Sequence, residues 1–183
     1  MNIVGELVIL RALEEQDNKV LLELINDPET EKMIGGYSYP VSRERQISWF
    51  RGLSGHADFH TLRCMIADRQ EPETAVGTVI LSDIETKNGT AQIHIKLAKT
   101  ARGKGYGWDA VNTIVNYGFK ELRLNCIYSI IVEYNHASQR LFEKCGFIQE
   151  GRLRSRVFKN GQYRDVLSYS ILQDRPDAEA VNK

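Results

Sequence analysis

The stretch IHIKLAKTARGKGYGWDAV, residues 93–111, decides the architecture. Its first part alternates apolar and polar residues with a period of two, as a strand does. Ile93, Ile95 and Leu97 fall on one face, and Gln92, His94 and Lys96 on the other. RGKGYG at residues 102–107 follows, and beyond it Ala110, Val111, Ile114, Val115 and Phe119 recur at helical spacing up to residue 122. A helix entered in this way begins with N–H groups that have no intrahelical partner, at the positive end of its dipole. Gly103, Gly105 and Gly107 can let a ligand approach the main chain, while Arg102 and Lys104 add positive charge. The stretch reads as a cradle for a phosphate-bearing ligand, against the alternative of a bare strand-to-helix turn. Trp108 stands where the third glycine of the dinucleotide fingerprint GxGxxG would fall, and GxxxxGK[ST] does not occur. Nicotinamide and nucleoside-triphosphate chemistry therefore recede behind other phosphate carriers.

Outward from this stretch, the chain predicts a strand at 7–13, a helix from Glu14 to Asn26 stopped by Asp27 and Pro28, and a second helix capped by Ser42 that runs towards Leu53. Residues 62–67, 76–84 and 91–97 read as an antiparallel meander, with turns at EPET and KNGT. CIYSIIV, residues 126–132, is a buried strand, and its connection through the long helix implies parallel pairing. Asn135 caps a short helix that Gly146 ends in a left-handed conformation. Asn160-Gly161 is a hairpin turn between terminal strands.

The 183 residues carry 24 Lys plus Arg against 24 Asp plus Glu, a zero net charge that gives no electrostatic reason to expect nucleic acid. A hydrophobic fraction of 42% suits one packed domain, expected over residues 1–173 with a polar tail at 174–183. Cys64, Cys126 and Cys145 match no disulfide or zinc spacing, which suggests a reducing compartment. The N-terminus lacks the pattern of a signal peptide, and no apolar run has the length of a membrane span, so a cytoplasmic location and no membrane partner are expected. His56 and His60 lack a third ligand, and no metal is expected.

The chain resembles the GNAT superfamily of acyl-CoA-dependent N-acetyltransferases, whose fingerprint [QR]xxGx[GA] is met by residues 102–107. NHASQRLFEKCGF, residues 135–147, resembles the family's Asn-led helix ending in Gly-Phe. The terminal EGRLRSRVFKNGQYRDVLSYSIL resembles the branch of spermidine and ribosomal-protein N-acetyltransferases. The resemblance implies a single-domain α/β fold, with a mixed, largely antiparallel central sheet flanked by helices, and acetyl-CoA as co-substrate. It also implies that Arg102, Gly103, Lys104, Gly105, Tyr106, Gly107 and Trp108 hold the CoA pyrophosphate. Ile95, Lys96 and Leu97 would pair with the pantetheine arm as an added strand does. Asn135 would either hydrogen-bond the pantetheine or simply cap its helix.

Amine attack on a thioester needs a neutral nucleophile, a stabilised oxyanion and a proton for the leaving thiolate. His94 is the candidate base, the more so because Gln92 stands where many members of the family carry Glu. Phe142 occupies the position of the tyrosine that protonates CoA in the spermidine-acetylating relatives, which leaves Ser138, Tyr128, Tyr134 or solvent as the acid. Tyr37 and Tyr39 in IGGYSYPV suggest a substrate lid. Trp49 suggests core packing or a pocket wall.

Two charge clusters suggest different acceptors. Glu23, Asp27, Glu29 and Glu31 could attract a polyamine, whereas Arg152, Arg154, Arg156 and Arg164 could attract an anion. The reading that results is acetyl transfer to a primary amine, a polyamine slightly ahead of a protein N-terminus or an amino sugar. A catalytically quiet acyl-CoA-binding regulator is the alternative. The terminal hairpin could pair between subunits and form a homo-oligomer.

Overall fold

The structure, a computed structural model, describes residues 1–36, 39–53 and 58–173. An eight-stranded sheet runs in the order β1-β2-β3-β4-β5-β6-β8-β7. β1 (Ile3–Val4) and β2 (Val8–Arg11) form an edge hairpin, and β3 (Leu62–Asp68), β4 (Ala75–Glu85) and β5 (Thr90–Leu97) form the meander. β6 (Cys126–Val132) joins β5 in parallel, and β7 (Ile148–Lys159) and β8 (Gln162–Leu172) close the sheet as an antiparallel hairpin. Asn160 and Gly161 have φ of 50° and 75°, the left-handed pair that the Asn-Gly turn requires. The expected fold class holds. The tail at 174–183 lies outside the described residues.

α4 (Tyr106–Lys120) lies on one face of the sheet, where Val111 and Ile114 join Val8, Ile66, Leu81 and Ile93 in a fully buried core. α5 (His136–Lys144) packs beside it, and Gly146 ends that helix with φ 86°. The opposite face is covered by α1 (Asn18–Asn26) and α3 (Arg43–Leu53), and α2 (Pro28–Met33) packs against α1. Among the described residues, no helix is long and apolar enough to cross a membrane.

One sequence expectation needs correction here. Asp27 and Pro28 do not simply end α1. They start α2, with Pro28 at the first helical position and the Asp27 side chain accepting from Thr30 N at 3.0 Å. Proline lacks an N–H that the first turn would leave unused, so the same residue that stops one helix can open the next. The N-terminal segment is anchored by Arg11, whose guanidinium donates to both oxygens of Asp17 at 2.7 and 2.8 Å. Both partners are buried, so each needs the other to offset its desolvation.

Two irregularities of the sheet prepare the site. β4 has an extra residue between Ser82 and Glu85 relative to β5, and Asp83 in this bulge takes φ 51°. β5 and β6 pair only from Thr90 to Gln92, against Cys126 to Tyr128, and then diverge.

Candidate functional site

Where β5 leaves β6, a cleft of about 660 Å³ opens between the end of β5, the glycine loop and the start of α5. Ser129 bridges the fork by donating to Ile93 O at 3.2 Å. Further out, Arg102 Nε donates to Leu97 O at 3.3 Å, while Ala98 N on the other edge donates to Val76 O at 2.9 Å. Strand alternation therefore turns the main-chain N–H and C=O of Ile95 into the cleft, the arrangement an added strand needs.

The glycine loop forms the far wall. Gly103 and Gly105 have φ of 77° and 86°, and Gly107 lies so close to Leu97 and Leu141 that a Cβ would sit 3.2 and 3.4 Å from their side chains. Among the described residues, no N–H from Gly103 to Trp108 donates within the chain, so all of them remain available to an anion. Tyr106 turns away and bonds Asp68 through its hydroxyl. Arg102 turns back, donating to Thr30 Oγ1 at 3.0 Å, although it and Lys104 are both exposed.

α2 is held against this loop by Asp27, which accepts from the Thr30 hydroxyl at 2.6 Å and from Lys99 at 3.1 Å. The Thr30 hydroxyl chiefly, with the Thr30 amide and Lys99 in support, holds the Asp27 carboxyl down to about 2 against the effect of burial. A depressed carboxylate stabilises the fold above its ordinary pKa near about 3.9, and that stability is lost as pH falls through the native value. Thermal melts of wild type and Asp27→Asn are therefore expected to differ at pH 5 and to converge as pH approaches 2. A difference that persists at pH 2 would contradict this.

Asn135 lines the cleft, but both ends of its amide are engaged: Oδ1 caps α5 through Ser138 N at 3.1 Å, and Nδ2 donates to Met33 O at 3.0 Å. Tyr134 lines it too and donates its hydroxyl to Lys32 O at 2.6 Å. The Ser138 side chain has no partner among the described residues and faces the cleft. Tyr128 lies beside Gln92 in the paired part of β6, outside the cleft lining.

On the opposite face of β5, a second cavity of about 350 Å³ lies under α1 and α3, with His94, Arg63 and Trp49 in its wall. The two spaces meet at Ile95 and Lys96, which line both. His94 Nε2 is 2.9 Å from Ser82 Oγ, and Ser82 donates to Asp83 at 3.1 Å. A hydroxyl that has given its proton to a carboxylate accepts from the ring, so Nε2 carries the hydrogen and Nδ1 keeps its lone pair. The surrounding protein pushes the imidazole below its usual pKa; Asp83 opposes this, and Lys96 and Arg63 reinforce it. The Ser82–Asp83 support was not legible in the sequence, because the bulge that brings it to His94 has no local signal.

Of the residues expected at a substrate lid, Tyr37 lies outside the described residues, and Tyr39 is exposed beside Phe158, away from the cavity. Trp49 does line the cavity, with the Arg63 guanidinium 5.3 Å from its ring centre. Cys64 and Cys145 are buried, and burial pushes both thiols up to about 11, which suits packing and not acyl transfer.

A model of the acetyltransferase (GNAT) domain matches residues 8–148. The spermidine N(1)-acetyltransferase of Vibrio cholerae is 30% identical over 166 residues, 91% of this chain and 93% of the relative. The spermidine N(1)-acetyltransferase of Escherichia coli K12 is 30% identical over 94% of this chain and 89% of its own length. The Vibrio cholerae enzyme crystallised with CoA and spermine superposes with a TM-score of 0.82, covering 91% of this chain and 95% of that one at 30% identity. The glycine loop, the forked sheet and these likenesses converge: the chain belongs to the GNAT acetyltransferase family and uses acetyl-CoA as co-substrate.

Proposed function

We propose that this chain transfers the acetyl group of acetyl-CoA to a small primary amine held in the cavity under α1 and α3. The observation that carries the reading is the junction at Ile95 and Lys96, where the cleft and the cavity meet across one strand. CoA would enter from the glycine-loop side, with its pyrophosphate on the N–H groups of residues 103–108. The amine would approach from the other face. Holding two reactants in line can supply roughly 7–11 kcal/mol of the barrier reduction.

The remaining roles follow from position. His94 Nδ1 takes the proton of the attacking amine, directly or through water. The Ile95 N–H, turned into the cleft, donates to the carbonyl oxygen as it becomes an oxyanion. Ser138 supplies the proton to the thiolate, since the Tyr134 hydroxyl is already given to Lys32.

A polyamine acceptor draws support from the relatives named for spermidine. The chain's own carboxylates draw away from it: Asp27 and Glu29 pair with Lys99 at 3.1 and 3.2 Å, and Glu31 pairs with Lys159. Two arginines of the terminal hairpin are engaged as well, Arg152 bound to Glu133 and Asp165 and Arg164 lying over Tyr134, while Arg154 and Arg156 are exposed.

The test is thiol release from acetyl-CoA across a panel of amines, peptides and amino sugars, beside calorimetry with CoA. Acetylation of a small amine is the expected result. Tight CoA binding with no acceptor turned over would instead favour the quiet-regulator reading. The loop's part is checked by Gly105→Ala, since its φ of 86° costs a residue with a Cβ about 1–2 kcal/mol. CoA affinity is expected to fall by roughly tenfold, while Gly151→Ala, in open space, leaves it unchanged.

A further inference from the structure

Arg63, Ile80 and His94 stand side by side across β3, β4 and β5, and Lys96 follows His94 on the same face of β5. Arg63 and Lys96 both line the cavity of about 350 Å³, and among the described residues no aspartate or glutamate does. The nearest carboxylates lie outside it: Asp58 bonds His60 N and Thr61, and Asp83 accepts from Ser82. Burial lowers the pKa of both cations, and Arg63 lowers that of Lys96 further. Neither has an ion pair among the described residues. The rest of the wall adds Arg45, Gln46 and Thr78 to an apolar lining that includes Leu21, Leu24, Ile25 and Trp49. Cations pressed together in a confined site, with no counter-ion in the wall, favour an anionic occupant over a cationic one.

On the reading that this cavity receives the amine, we infer that the acceptor carries an anionic group in the same small molecule, as an amino acid with an apolar side chain does. The anion sits on Arg63 and Lys96, and the apolar part lies against Leu21, Ile25 and Trp49. A volume of about 350 Å³ is near the lower end of small-molecule sites, which suits such an acceptor. The same cations disfavour the ammonium form of the bound amine and so favour its nucleophilic form. In the step itself the amine lone pair forms the N–C bond, the C–S bond breaks and its electrons leave on sulfur. The thiolate takes one proton from the acid, and the nitrogen gives one to His94. The products are an N-acetylated acid, CoA thiol and one net proton from the ammonium.

The closing experiment uses L-phenylalanine, its amide, phenethylamine, its 1-aminophosphonate analogue and spermidine, both as acceptors in thiol release and as ligands titrated into the CoA-bound protein. The anionic amines are expected to exceed the amide and phenethylamine by at least about tenfold in kcat/KM and in affinity, and to exceed spermidine further. The carboxylate and phosphonate arms identify which anion the site takes. Arg63→Met should remove that preference, Arg63→Lys should restore part of it, and calorimetric CoA affinity should stay at the wild-type value in both. Equal or better use of the uncharged analogues or spermidine, or a preference that survives Arg63→Met, overturns the proposal. If no amine is turned over, acetyl transfer fails as the function, and the titrations still decide the anion site: binding that ignores the carboxylate overturns it.

Discussion

Replacing His94 with alanine is expected to lower kcat/KM by about 10²–10⁴-fold, the usual contribution of a positioned general base. CoA affinity should hold, because the ring faces the other cavity. The pH profile separates a base from a packing residue. Below its pKa the imidazolium cannot accept a proton, so activity falls on the acid side. Burial, reinforced by Lys96 and Arg63, depresses that pKa, which places the acid limb of wild type below the ordinary imidazole value of about 6.5. In His94→Ala this limb should vanish. Ser82→Ala should keep the limb and lose part of the rate, since the ring would remain without the hydroxyl that holds its tautomer. A profile unaltered in His94→Ala would return this histidine to an ordinary structural role.

Asp109→Ala is expected to destabilise the fold by about 3–5 kcal/mol, close to the cost of orphaning several donors around a removed charge. The Asp109 side chain, on a residue 3% exposed in the first turn of α4, accepts from the N–H groups of Glu6, Leu7 and Val8 at 3.1, 2.7 and 2.9 Å. Gly5 completes the fit, because a Cβ there would stand 2.5 Å from the carboxylate. For a domain of this size the loss corresponds to a fall in Tm of roughly 6–20 °C. Asp109→Asn keeps an acceptor oxygen and should fall between. A Tm change under about 2 °C in the alanine variant would show that these three bonds are replaced by water at little cost.

What the sequence made legible was local. The glycine loop, the β6 boundaries, the Asn135 cap and the Asn-Gly hairpin each depend on a few neighbouring residues whose backbone preferences agree. α2 escaped because Pro28 has two meanings, and the Asp27–Thr30 bond that chooses between them is a side-chain geometry. The proposed acceptor side was the least legible part. Arg63, Ser82, His94 and Lys96 are spread over three strands and become neighbours only through the β3–β4–β5 register. Likewise the acidic cluster near residue 27 looked available because its partners, Lys99 and Lys159, are far along the chain. Charges read from sequence are counted before they are paired, and pairing is a property of the fold.

The fork between β5 and β6 leaves the protein with a sheet edge in its interior. The Ile95 amide is a rung without a ladder; in the binding mode proposed above the pantetheine arm of CoA would fill the gap, and the cofactor would finish secondary structure as well as deliver an acyl group. Deuterium uptake at Ile95 should slow on saturation with CoA, and the empty chain should be the more prone to annealing with exposed strands of its neighbours.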